Sequence, residues 1–84
     1  MKILHLVRQI VDERALRTTV EQSKEHQVTV LLLQDAVLTP LDFPGETLAC
    51  REDVAARGAR SESELVDYDR IVRLIFDHDK VVSW

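Results

Sequence analysis

At 84 residues, with 45% hydrophobic and 31% charged side chains, the chain has the make-up of one small globular domain around a single core. Two glycines, two prolines and no internal repeats argue against disorder or low complexity. A net charge of −4 argues against an independent nucleic-acid surface, and a lone cysteine cannot form an internal disulfide, which fits a reducing cytoplasm.

Met1 to Val7 reads as a first strand. Its apolar stretch, broken by His5, is too short for a signal peptide or a membrane span. Asp12 is suited to cap a helix running from Glu13 to Lys24, with Leu16, Thr19, Val20 and Ser23 on one stripe. Val28-Thr29-Val30-Leu31-Leu32-Leu33 then runs apolar with only Thr29 interrupting. Such a run, without in-and-out alternation, is the pattern of a central strand covered on both faces of a parallel sheet. Residues 1–33 therefore form a β-α-β unit, expected to be right-handed. In open parallel sheets the crevice lies beyond the carboxyl ends of the strands, which is where Gln34 and Asp35 fall.

Beyond Asp35 the pattern changes. Ala36 to Leu41 allows a turn of helix, but Pro40 and Pro44-Gly45 break it, so no complete crossover helix fits before the strand Glu46–Cys50. Arg51 to Gly58 reads as a short helix with acids in its first turn, an Asp53–Arg57 pair and Gly58 at the left-handed end. Ala59 to Ser63 is a polar loop and Glu64–Val66 a short strand. Asp67 caps a helix from Tyr68 to about Phe76, with Tyr68, Ile71, Val72 and Ile75 as its expected buried stripe. Asp77-His78-Asp79 is a turn, and Lys80 to Trp84 a last strand. The expectation is one α/β domain with a mainly parallel sheet and strands at about 1–7, 28–33, 46–50, 64–66 and 80–83.

The residues able to do chemistry are few. Cys50 sits at a strand end just before a helix, where amides and the helix dipole favour a thiolate. Arg51 would help and Glu52 and Asp53 oppose. It is either a sulfur nucleophile or a small buried hydrophobe. His5, inside a strand, reads as a hydrogen-bonded core or interface residue, and His26 and His78 as solvated turn residues. No ligand spacing indicates a metal, and no glycine-rich loop indicates a nucleotide, so no cofactor is expected. Asp35 reads as a cap or turn residue, with orientation of a crevice loop as the alternative. Trp84 reads as a packing or interface anchor. Apolar strands on so short a chain predict an oligomer, with itself or with related subunits.

Four strings, in order, resemble the DsrH/TusB family of small sulfur-relay subunits. They are Leu31-Leu32-Leu33-Gln34-Asp35-Ala36-Val37; Glu52-Asp53-Val54-Ala55-Ala56-Arg57-Gly58; Val66-Asp67-Tyr68 followed by Val72-Arg73-Leu74; and Trp84. The opening Leu4-His5 is also similar. The resemblance implies a small flavodoxin-like domain in a cytoplasmic sulfur-transfer complex, partnered by paralogous DsrE/DsrF-like (TusC/TusD-like) subunits and a sulfur-carrier protein. The persulfide sulfur would serve 2-thiolation of the tRNA wobble uridine or dissimilatory sulfur oxidation, and the chain would build the complex more than act alone. Val20 stands where members from sulfur oxidisers carry a cysteine on the first helix. The connection after Gln34-Asp35 is cut to Val37–Gly45, where the family has a second helix. The spacing of Cys50 to Arg57-Gly58 also resembles the DsrE/TusD paralogues, whose persulfide cysteine follows the third strand. TusB-like chains usually have an apolar residue there. The alternatives are a stand-alone sulfur carrier using Cys50, or a flavodoxin-like interaction module unrelated to sulfur.

Overall fold

The computed structural model describes every residue from Met1 to Trp84. In chain order the elements are β1 (Lys2–Val7), α1 (Glu13–Gln22), β2 (Gln27–Leu32), a 3-10 turn (Gln34–Leu38), β3 (Glu46–Cys50), α2 (Arg51–Ala56), β4 (Glu64–Val66), α3 (Tyr68–Asp77) and β5 (Lys80–Ser83). The strands form one five-stranded sheet in the order β4-β3-β2-β1-β5, and every neighbouring pair is parallel. This is a small α/β domain of flavodoxin-like build, as expected.

The connections from β1 through β4 step across the sheet in one direction, and only the last, through α3, returns to the far side of β1. Right-handed crossovers then put α1, the 3-10 turn and α2 on one face and α3 alone on the other. The core divides accordingly. Val7, Ala15, Val30, Ala36, Phe43 and Val54 belong to one buried cluster. Leu4, Leu31, Leu48, Val66 and Leu74 form the second.

Asp12 caps α1 by accepting the Ala15 amide at 3.0 Å, and Asp67 caps α3 by accepting the Arg70 amide at 2.9 Å. The crossover between β2 and β3 carries no full helix. Its 3-10 turn buries Ala36 and Val37, and Phe43 plugs the same cluster from the segment that follows.

Both helix stripes differ from expectation. On α1 the buried residues are Ala15 and Thr19, while Val20 and Ser23 are exposed. The helix rotates so that alanine, the smallest side chain, meets the sheet and Gln22 can reach His5. It also ends at Gln22, two residues before the expected Lys24. On α3 Leu74 is the buried residue and Ile71 is half-buried, whereas Tyr68, Val72 and Ile75 stand in solvent. More apolar residues lie on this helix than one sheet contact can absorb. His78 is not a solvated turn residue either. Its Nδ1 donates to the Leu74 carbonyl at 2.7 Å, and its Nε2 meets the Thr29 hydroxyl at 3.1 Å, tying the end of α3 to the central strand. His26 is half-buried, with its Nδ1 enclosed.

Two glycines have positive φ, Gly45 at +74° and Gly58 at +57°. A Cβ on Gly45 would run into the Val28 carbonyl oxygen, whereas one on Gly58 would meet nothing within 4 Å. Gly45→Ala is expected to cost about 3 kcal/mol or more, by strain plus collision with fixed backbone. Gly58→Ala should cost only about 1 kcal/mol, the left-handed penalty alone. Urea unfolding of the two variants checks the order; equal losses would show that the close approach at Gly45 does not matter.

Candidate functional site

Two interlocks made of polar side chains fasten the sheet, one at the carboxyl ends of β2 and β3 and one joining β1, α1 and the residue after β5. The first joins the turn after β2 to α2. Gln34 takes φ +51°, a conformation that costs a non-glycine residue about 1 kcal/mol. Its amide donates to Asp53 Oδ2 at 2.8 Å, a charge-assisted bond that holds the turn in place. Arg57 then bridges back, with Nε to Asp35 Oδ1 at 2.9 Å and Nη1 to Asp53 Oδ1 at 3.5 Å. The Asp35 carboxylate is therefore an ion-pair partner, and Leu33 holds the cap position of the 3-10 turn without a side-chain bond. The expected Asp53–Arg57 pair is present, and what spacing alone did not reveal is that Arg57 also reaches Asp35 in the 3-10 turn. Because Asp35 is largely exposed, its ion pair contributes a few tenths of a kcal/mol at most.

The second interlock closes the sheet beneath α1. Trp84 Nε1–H donates to His5 Nδ1 at 2.9 Å, which leaves the proton on Nε2 to be donated to Gln22 Oε1 at 2.6 Å. The indole and imidazole rings stack with centroids 6.1 Å apart. Arg8 fastens Trp84 further, donating through Nε and Nη2 to its main-chain oxygen at 3.0 and 2.6 Å. His5 is fully buried. Burial lowers its pKa below 6.5, the Gln22 bond works against that shift, and the charge of Lys80 adds to it. Both ring nitrogens are engaged, so the imidazole is a structural group, as its place inside β1 suggested.

Cys50 stands where the sequence puts it, at the junction of β3 and α2, and it is 6% exposed. It pairs in register with Val66, and alternation along β3 places it on the side of Leu48, the face covered by α3. The thiol is thus covered by the fold. Arg51, Arg70 and Arg73 line a shallow hollow of about 270 Å³ nearby, together with Glu64 and Asp67. A larger open groove, about 720 Å³, runs between the 39–45 and 60–64 segments, with Phe43 among its lining residues; most of the rest are polar. Its lining residues include the segment that stands in for a second crossover helix. No group of three histidine, cysteine, aspartate or glutamate side chains converges to hold a metal ion. No helix is long and apolar enough to cross a membrane.

No protein-family model matches the chain, and no curated protein is similar to it at a significant level. Leu4-His5 meets Trp84, and Gln34-Asp35 meets Asp53 and Arg57.

The His5 interlock has a pH signature. The unfolded imidazole takes its proton near pH 6.5, and the folded one only at lower pH. Its contribution to stability is therefore complete above that value and is lost as pH falls toward the folded pKa. The thermal midpoint should drop between about pH 7.5 and about pH 5.5, and His5→Asn should be less stable overall but with a flatter profile over that range. An unchanged slope in the variant would assign the titration to other groups.

Proposed function

We propose that the chain is an assembly-building subunit of a sulfur-relay complex, in which persulfide sulfur passes between thiols of companion DsrE/DsrF-like subunits and a sulfur-carrier protein. Delivery to the tRNA wobble uridine or use in sulfur oxidation are the two outlets that the resemblance implies. The observation that carries the structural role is the placement of the only thiol. Cys50 is buried, on the α3 side of the sheet. A carrier cysteine needs an accessible thiolate to attack a persulfide and to be attacked in turn. Where a relay cysteine would be read from spacing, this chain packs a small apolar group.

Three further features support the reading. Within the motif strings His5 serves a buried hydrogen bond, Asp35 and Asp53 ion pairs, and Asp67 a helix cap, so these groups fasten the sheet instead of arming it. One short helix covers a five-stranded face, leaving Leu6 and Leu33 only half-buried. Apolar side chains remain on the outside of that helix, which is what a subunit made to be covered presents.

The test separates subunit from carrier. The folded chain is incubated with a cysteine desulfurase and cysteine, then weighed intact. The expected result is no gain of about 32 Da, one sulfur atom, and alkylation of Cys50 only after denaturation. Purification of the tagged chain from its own cells should bring down small subunits that do gain the sulfur. A persulfide on Cys50 of the folded chain, lost in Cys50→Ser, would overturn the structural assignment and make the chain itself the carrier.

A further inference from the structure

The sheet order leaves β4 at one edge, with β3 on its inner side and no strand on its outer side. None of the turn, loop and cap bonds of the main chain reaches residues 64–66 either. The outer edge of β4 therefore keeps amides and carbonyls free to pair with another strand. Val66 belongs to the cluster beneath α3, so Glu64 shares that face of the sheet, and Leu65, 37% exposed, lies on the other.

Beside this edge Arg51, Arg70 and Arg73 line the hollow of about 270 Å³ together with Glu64 and Asp67. The Arg51, Arg70 and Arg73 guanidinium groups enter none of the ion pairs of the chain. Of the two carboxylates in the hollow, Asp67 is committed to the cap of α3, where it accepts the Arg70 amide, and Glu64 pairs with no cation. On a chain of net charge −4 the hollow is a local reversal of sign. A guanidinium suits a carboxylate because two parallel N–H groups meet its two oxygens, and it sheds water more readily than an ammonium.

The edge and the arginines together select one kind of occupant. A strand added to β4 would lie about 4.8 Å outside it, with alternate side chains on opposite faces. Every second side chain would then fall on the α3 face, within reach of Arg70 and Arg73, and the others beside Leu65. A free phosphate would use the cations and leave the edge unpaired. An acidic strand uses both.

We propose that the β4 edge and the Arg51-Arg70-Arg73 hollow form a docking site for an extended segment of a partner protein that alternates acidic with apolar residues. The segment adds a sixth strand, and its carboxylates pair with the three arginines. The proposal goes beyond the sulfur-relay reading and does not depend on it, since edge and charge select this segment whether or not its owner carries sulfur.

Fluorescence anisotropy of the whole chain with a labelled peptide alternating Glu and Val tests it. Binding at a Kd of about 50 µM in low salt is expected, weakening as ionic strength rises. Replacing Glu by Gln in the peptide should cost about 10-fold or more, and so should methylating the alternate peptide amides that would face β4. Arg70→Glu with Arg73→Glu should abolish binding of the Glu peptide and create binding of a Lys–Val peptide, with an unchanged circular-dichroism spectrum because both side chains are exposed. No binding up to about 1 mM, or binding indifferent to the arginines, overturns the proposal. So does binding indifferent to amide methylation, which would show that charge alone acts, and so does tighter capture of pyrophosphate or a short single-stranded RNA than of the peptide.

Discussion

A parallel sheet has to be covered on both faces, and this chain has only three helices with which to do it. The strand order decides how they are shared. Because three successive crossovers step the same way, α1, the 3-10 turn and α2 accumulate on one face, and the single reversal sends only α3 to the other. The crowded face can then dispense with a full second crossover helix: Ala36, Val37 and Phe43 fill its place. The sparse face has no such substitute. Leu4, Leu31, Leu48 and Val66 are buried under the one helix, with Leu74 as its main anchor, while Val81 on the edge strand stays 37% exposed.

That imbalance explains why polar locks matter in so small a domain. With little apolar area to spare, the ends of the sheet are held by bonds of good geometry: Trp84 to His5, His5 to Gln22, Arg8 to the Trp84 main chain, and His78 to Thr29. Each joins segments far apart in the chain. A buried histidine whose nitrogens are both engaged is costly to expose and costly to protonate, so it fixes one arrangement of β1 against α1 and β5.

The strands were legible because an uninterrupted apolar run such as Val28–Leu33 has no other stable use, and the helices because Asp12, Asp67 and Gly58 mark their ends. The helix faces were not legible, for a physical reason that differs between them. On α1 the sheet prefers the close approach of Ala15 and the hydrogen-bonding reach of Gln22 over the larger Val20, and size and distant partners leave no trace in periodicity. On α3 two apolar stripes overlap. Periodicity selects Tyr68, Ile71, Val72 and Ile75, whereas the sheet takes Ile71 from that stripe together with Leu74. The helix carries more apolar residues than its contact with the sheet can bury, so Tyr68, Val72, Ile75 and Phe76 stay exposed. Likewise the Asp53–Arg57 spacing was readable, but not that Gln34 would adopt φ +51° and bind Asp53.

The position of the thiol follows from the same alternation. Along β3, Thr47 and Ala49 point to the face of α1 and α2, and Leu48 and Cys50 to the face of α3. A cysteine one residue later would be the first residue of α2, where Arg51 is exposed beside the hollow shared with Arg70 and Arg73. There it would have solvent, the unpaired amides of the first turn and neighbouring cations to favour a thiolate. At position 50 it has Val66 as its register partner and the underside of the sheet around it. A single step of register therefore separates a nucleophile from a core residue.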